Sequence, residues 1–291
     1  MSWREVVIES KCKLEYKNNF LIVRGEVEKR VHLSEISCVI LASTAISMTA
    51  ALLCELNKQK IKVIFCDEKY NPYGELVGYY NYHRSSKAVV EQIGWNEYFK
   101  SEIWTLIIKN KIKNQSRLLG ANNLEKQRDA LDIFAEQVEI DDPTNREGHA
   151  AKVYFDALFG LDYTRDAKND ITAAQNYGYA IILSAFNREI SSRGYLTQLG
   201  LKHCNEFNFF NLSCDLMEPF RIVVDSVVSQ EKDSIFDLEY RHKLVDILNK
   251  NVIYQQEKMQ VSGAIKMFVR NVFDAITQQD SSLFVSFDYG V

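Results

Sequence analysis

Apolar and polar positions follow two different periods along this chain, and the change between them divides it. Over the first third, short runs of β-branched and aromatic residues alternate with turn-forming ones. Residues 6–9, 12–16, 20–24 and 30–33 read as strands, with Lys17-Asn18-Asn19 as the turn between the second and third. Residues 38–41 read as a buried strand. A helix is predicted over 46–56, spaced by Met48, Ala51, Leu52 and Leu56, and a further strand over 62–66 before a turn at Asn71-Pro72.

From about Glu91 the spacing becomes helical. Ile103, Leu106, Ile107, Ile112 and Leu118 make one apolar stripe, with the basic residues of the same stretch mostly off it. A long helix is predicted over 171–190, stopped by Gly194. A last one runs from Ser262 as N-cap through Ile265, Phe268, Val272 and Ile276. Residues 283–287 carry no helical period and receive no element. The pattern predicts an α+β protein of two domains: a β-rich domain over 1–85 with one helix, a linker over 86–99 that the charged run at 83–87 leads into, and a mainly α-helical domain over 100–291.

Composition fits that picture. At 46% hydrophobic with 3 prolines in 291 residues, the chain can fill a large core and is too apolar for disorder. No apolar run is long enough to cross a bilayer, and the first residues lack a signal-peptide core, so no membrane partner and a cytoplasmic location are expected. Six cysteines without a CxxC spacing read as reduced core residues, neither a disulfide framework nor a zinc site. Net charge is −4, yet residues 99–118 hold Lys100, Lys109, Lys111, Lys113 and Arg117 against Glu102 alone. That basic stripe is either a solvated helix face or a contact for phosphates.

Two strings carry chemistry. After Asp142-Pro143-Thr144, a helix is predicted with Pro143 in its first turn and Thr144 or Asn145 as cap. On its wheel Glu147 falls with Ala151, Tyr154, Phe155 and Leu158, opposite His149, Lys152 and Asp156. A carboxylate on an apolar face needs a metal, a proton or an ion pair, the last with an arginine such as Arg188 or Arg193. On a helix from Asn211, the residues Asn211, Asp215, Glu218, Arg221 and Asp225 share one arc, which is either solvated surface or a site. Pro219 favours the site, because it breaks the helix beside three acidic groups. His203 precedes this helix in an Asn- and Phe-rich loop, and with Glu147 and Glu218 it would suit Mn²⁺ or Mg²⁺ better than zinc. No phosphate-cradling glycine loop, dinucleotide fingerprint or GxSxG serine elbow is present.

These residues resemble a known family. Asn145-Arg-Glu-Gly-His-Ala-Ala-Lys-Val-Tyr-Phe, Asn176-Tyr-Gly-Tyr-Ala and the run from Gly200 to Arg221, above all Asp215-Leu-Met-Glu-Pro-Phe-Arg, are similar to CRISPR-associated protein one, the spacer-acquisition integrase and endonuclease. Trp3-Arg, Leu14-Glu-Tyr-Lys-Asn-Asn and Val63-Ile-Phe-Cys-Asp resemble the branch that accompanies type II-A systems. The resemblance implies a β-rich dimerisation domain, a helical catalytic domain, and a homodimer, two of which flank a dimer of CRISPR-associated protein two. It implies Glu147, His203 and Glu218 as catalytic metal ligands for Mg²⁺ or Mn²⁺, with Asp215 either a further ligand or a residue behind them. The implied reaction inserts a captured double-stranded DNA fragment into a CRISPR array, its 3′-hydroxyl attacking the leader–repeat phosphodiester. Lys100, Lys109, Lys111, Lys113 and Arg117 would contact phosphates, with Arg146, Lys202 and Arg221 nearer the scissile bond. The alternative is a metal-dependent nuclease acting on branched DNA in repair.

Overall fold

The computed structural model describes residues 4–68, 72–78 and 85–290. Trp3, Asn71 and the start of the charged run at His83 lie outside them. The fold is α+β, strand-rich at the N-terminal end and helical after it. It divides into two compact units, one of residues 1–85 with 191–194, the other of 86–190 with 195–291.

In the first unit, β1 (Arg4–Ile8), β2 (Cys12–Lys17), β3 (Phe20–Arg24), β4 (Glu28–His32), β5 (Ile36–Leu41), β6 (Ile46–Met48), α1 (Ala50–Lys58), β7 (Lys62–Cys66) and β8 (Pro72–Glu75) follow in order. They form two four-stranded sheets, ordered β1-β5-β7-β8 and β4-β3-β2-β6. Leu14, Leu21, Ile36, Val39, Leu52, Leu56 and Val63 fill the core they share. The turn at Asn18 and Asn19 forms as predicted, both residues at positive φ, so β2 and β3 pair in register. The helix predicted over 46–56 is two elements. Ile46 and Met48 alternate in a short strand paired with β2, and Thr49 caps the helix, its hydroxyl accepting from Leu52 N at 3.3 Å.

The second unit holds α2 (Ser85–Ile93), α3 (Glu97–Ala121), α4 (Glu125–Gln137), α5 (Arg146–Phe159), α6 (Asp170–Ser192), α7 (Asn211–Met217), α8 (Arg221–Gln230), α9 (Leu238–Val245), β9 (Asn251–Tyr254), β10 (Glu257–Gln260) and α10 (Val261–Gln278). Residues 86–99, expected as a linker, carry α2 and the first turn of α3. The helical pattern is interrupted by the β9–β10 hairpin, which the sequence reading did not foresee. That hairpin leads directly into α10, so the helix begins after Gln260 and Ser262 is its second residue, not its cap. Gly194 follows α6 at φ +84°, the left-handed conformation that ends helices. α3 is buried on most of its circumference, polar Asn110, Asn114, Gln115 and Ser116 included. Among the described residues no cysteine pair is bridged, and no helix is long and apolar enough to cross a membrane.

Candidate active site

The start of α5 is fixed by its own sequence. Asn145, at φ +51°, caps the helix with Oδ1 accepting from Gly148 N at 3.3 Å. A Cβ at Gly148 would sit 2.6 Å from that oxygen, so the cap needs glycine there. Asp142 accepts from Arg146 N at 2.8 Å and Glu147 N at 2.9 Å, which places Pro143 ahead of the helix and not in its first turn. Ala150, Tyr154 and Leu158 face the core, and Glu147 sits at the edge of that face, its side chain 29% exposed.

The run from Asn211 breaks where Pro219 predicts. α7 ends at Met217, Glu218–Phe220 forms a 3-10 turn, and α8 resumes at Arg221. Its polar arc is not a solvated surface. Asn211, Asp215, Glu218 and Asp225 are all buried.

What neutralises Glu147 is neither Arg188 nor Arg193. The ammonium of Lys111, from the middle of α3, lies 2.6 Å from Glu147 Oε1 and 2.7 Å from Glu218 Oε2, and its side chain is 12% exposed. Lys111, expected among the phosphate contacts, is instead turned inward between two carboxylates. Arg221 Nε donates to the other Glu218 oxygen, Oε1, at 3.0 Å. Burial would raise the Glu218 carboxyl, but Arg221 and Lys111 outweigh it and hold it at about 2. Burial alone would lower Lys111; Glu218 and Glu147 reverse that and keep it charged.

His203 approaches from the loop before α7. Its Nδ1 is 2.6 Å from Asp215 Oδ1, and since a carboxylate only accepts, Nδ1 carries the proton. Asp215 Oδ2 accepts from the amides of Leu201 at 2.7 Å and Lys202 at 3.0 Å. Both Asp215 oxygens are thus taken up in holding the histidine and its loop. A Cβ on Gly200 would lie 2.3 Å from the His203 carbonyl oxygen and 2.8 Å from Asp215 Oδ2, so this tight loop requires glycine. The Asp215 hydrogen bond lifts the imidazole above its ordinary value against partial burial, and the charges of Glu218 and Glu147 add to the effect. The loop is clamped from α2, where Gln92 donates to the carbonyls of Leu196 and Leu199 at 2.9 and 3.0 Å and accepts from Leu196 N at 2.8 Å. Gln92 lies in the stretch read as a linker, which hid it.

Among the described residues no three acidic, histidine or cysteine side chains are already gathered as a metal cluster, because Lys111 stands between two of them. The donor set nevertheless fits a hard divalent ion. Two carboxylates converge on one cationic position, where the buried Glu218 Oε2 meets the Lys111 ammonium at 2.7 Å. The imidazole is oriented by a carboxylate behind it, which leaves Nε2 as its free ligand atom.

Behind the site, Asp225 accepts from the hydroxyls of Tyr154 at 3.0 Å and of Tyr179. Burial pushes Asp225 up, partly offset by those two hydroxyls. The Arg221 guanidinium lies 4.6 Å from the Tyr179 ring centre, so the Asn176–Ala180 motif supports the arginine that grips Glu218. Of the other basic candidates, Lys100 pairs with Glu97, Lys113 with Glu136 and Arg117 with Asp288. Lys109 acts electrostatically on Glu136. Lys202 reaches Asp141 at 3.1 Å over the Trp104 ring, and Arg146 lies over Phe134.

The family model for CRISPR associated protein Cas1 matches residues 6–233. The CRISPR-associated endonuclease Cas1 of Neisseria meningitidis serogroup C (strain 8013) is 34% identical over 287 residues, covering 97% of this chain and 94% of that protein. A casposase bound to integration product superposes with a TM-score of 0.78 at 18% identity, covering 99% of this chain and 95% of that one. A Cas6-RT-Cas1--Cas2 complex gives 0.77 at 19% identity, covering 98% of this chain and 36% of that chain. This chain belongs to the Cas1 family of CRISPR-associated proteins.

Proposed function

We propose that this chain is a metal-dependent DNA integrase of CRISPR adaptation, which inserts captured DNA fragments into a CRISPR array. The observation that carries the reading is the convergence of Glu147 and Glu218 on one cation position, beside a histidine aimed by Asp215. Glu147, Glu218 and Nε2 of His203 would hold Mg²⁺ or Mn²⁺, and Asp215, its oxygens committed elsewhere, would act by orienting the imidazole. The bound ion would polarise the scissile phosphate and stabilise the charge developing on its oxygens. Arg221 holds the Glu218 carboxylate in place, and Lys202 would supply positive charge to the phosphate. The 3′-hydroxyl oxygen of the fragment forms a bond to phosphorus at the leader–repeat junction while the bond to the leaving oxygen breaks; the hydroxyl proton passes to solvent, and the leaving oxygen takes one up from it. No protein nucleophile enters the exchange. With water in place of the hydroxyl, the same site cleaves DNA, in keeping with relatives named as endonucleases.

The likeness to a Cas6-RT-Cas1--Cas2 complex supports CRISPR-associated protein two as partner. In this reading two homodimers of this chain flank a dimer of that partner, in the cytoplasm. The test mixes the purified chain with that partner, Mg²⁺ or Mn²⁺, a labelled duplex with free 3′ ends and a leader–repeat target. Joined product from wild type and none from His203→Ala is the expected result. Joining by both removes His203 from the site, and cleavage without joining favours the repair nuclease.

A further inference from the structure

The segment over 284–290, without periodicity in the sequence, is laced across the back of the site. Phe287 is fully buried and its ring stacks on Phe220, centroids 3.8 Å apart and planes 10° from parallel. Two asparagines one turn apart on α3 read its backbone. Phe287 N donates to Asn110 Oδ1 at 2.9 Å, and the Phe287 carbonyl accepts from Asn110 at 3.0 Å and Asn114 at 2.7 Å. Tyr289 N donates to Asn114 Oδ1 at 3.1 Å, and Asn114 Nδ2 also reaches the Pro219 carbonyl at 3.1 Å.

Those contacts bracket two residues of the site. Asn110 and Asn114 flank Lys111 on α3, while Pro219 and Phe220 follow Glu218 in the 3-10 turn. Lys111 and Glu218 meet only if α3 and that turn are held at a fixed separation, and Phe287 is bonded to one and stacked on the other. A proline-broken turn lacks the continuous helical ladder that would otherwise fix it. The matched family region ends at residue 233, well before this segment.

The geometry points to residues 284–290 as a positioning strap that sets Glu218 for the divalent ion, with Phe287, Asn110 and Asn114 as its fastening points. The inference rests on the metal site proposed above. No strap residue touches that site; Phe287 acts through Phe220 and Asn114. The test measures Mn²⁺ binding by electron paramagnetic resonance on the full chain, together with kcat and KM for joining. Folded Phe287→Ala is expected to bind Mn²⁺ about tenfold more weakly, the scale for losing a group that orients a metal ligand. Its kcat should fall with KM for DNA unchanged. Phe287→Leu, which keeps apolar volume without the stack, should fall between the two and stands in if Phe287→Ala does not fold. A folded variant that melts earlier yet keeps wild-type Mn²⁺ affinity and kcat overturns the proposal and leaves the segment a stabiliser. Wild type that binds no Mn²⁺ overturns the metal reading itself, a result distinct from equal binding by both.

Discussion

The ammonium of Lys111 lies 2.7 Å from Glu218 Oε2 in a nearly closed space, and Glu147 completes the contact from the other side. A single charge on α3 therefore stands where two carboxylates from separate elements would share a cation. Metal and ammonium compete for the same oxygens.

That competition predicts opposite effects of Lys111→Met with and without metal. In EDTA the variant leaves two carboxylates facing each other and should lose about 3 kcal/mol, the scale for removing one partner of a buried pair. Added Mn²⁺ should then raise its melting temperature by more than it raises that of wild type. Equal metal-induced shifts, measured by differential scanning fluorimetry, would show that Lys111 does not occupy the ion's place.

Glu218 gives the acid limb of stability a specific source. Its folded value of about 2 lies below its ordinary 4.5. The contribution is fully present above pH 4.5 and is lost as pH falls through about 2. It amounts to roughly 3 kcal/mol, from 1.36 kcal/mol per unit. Glu218→Gln in EDTA should flatten the decline of the urea midpoint over that window. A variant with the wild-type acid profile would assign the limb to other groups.

Asp215 is predicted to act through His203. Asp215→Asn keeps the shape and removes the charge, so the imidazole should titrate lower by NMR, back toward its ordinary value. In wild type the contribution of the raised His203 is fully present below that ordinary value of 6.5 and is lost as pH rises through the lifted one. Metal affinity should fall tenfold or more in the variant, about the range for losing a carboxylate behind a histidine ligand. An unmoved His203 titration would contradict the 2.6 Å contact as its cause.

How much of this was legible follows from what each signal depends on. The Asn18–Asn19 turn was, because asparagine tolerates positive φ and so marks its own geometry. The β9–β10 hairpin turns on Gln255 and Gln256, also at positive φ, and glutamine carries no such mark. The break at Pro219 was local chemistry and was read correctly. Helical period could not say whether the arc from Asn211 to Asp225 met water or a buried network, since both use the same residues. Nor could it find Lys111 between Glu147 and Glu218, a meeting of three elements distant in sequence. Phe287 was invisible because its hold on α3 runs through its backbone.

One residue of the basic stripe, Lys111, is turned inward and drops out of the expected phosphate contacts. Lys109 and Lys113 are the α3 residues to test. Lys109→Glu with Lys113→Glu should weaken duplex binding and make log affinity against log salt shallower by about two. Unchanged binding would place the DNA on another face.

The most direct measurement is anomalous diffraction from crystals of the chain soaked in Mn²⁺. One peak is expected, within coordination distance of oxygens of Glu147 and Glu218 and of Nε2 of His203, with the Lys111 ammonium displaced. A peak elsewhere, or none with Lys111 still joining the two carboxylates, would contradict it.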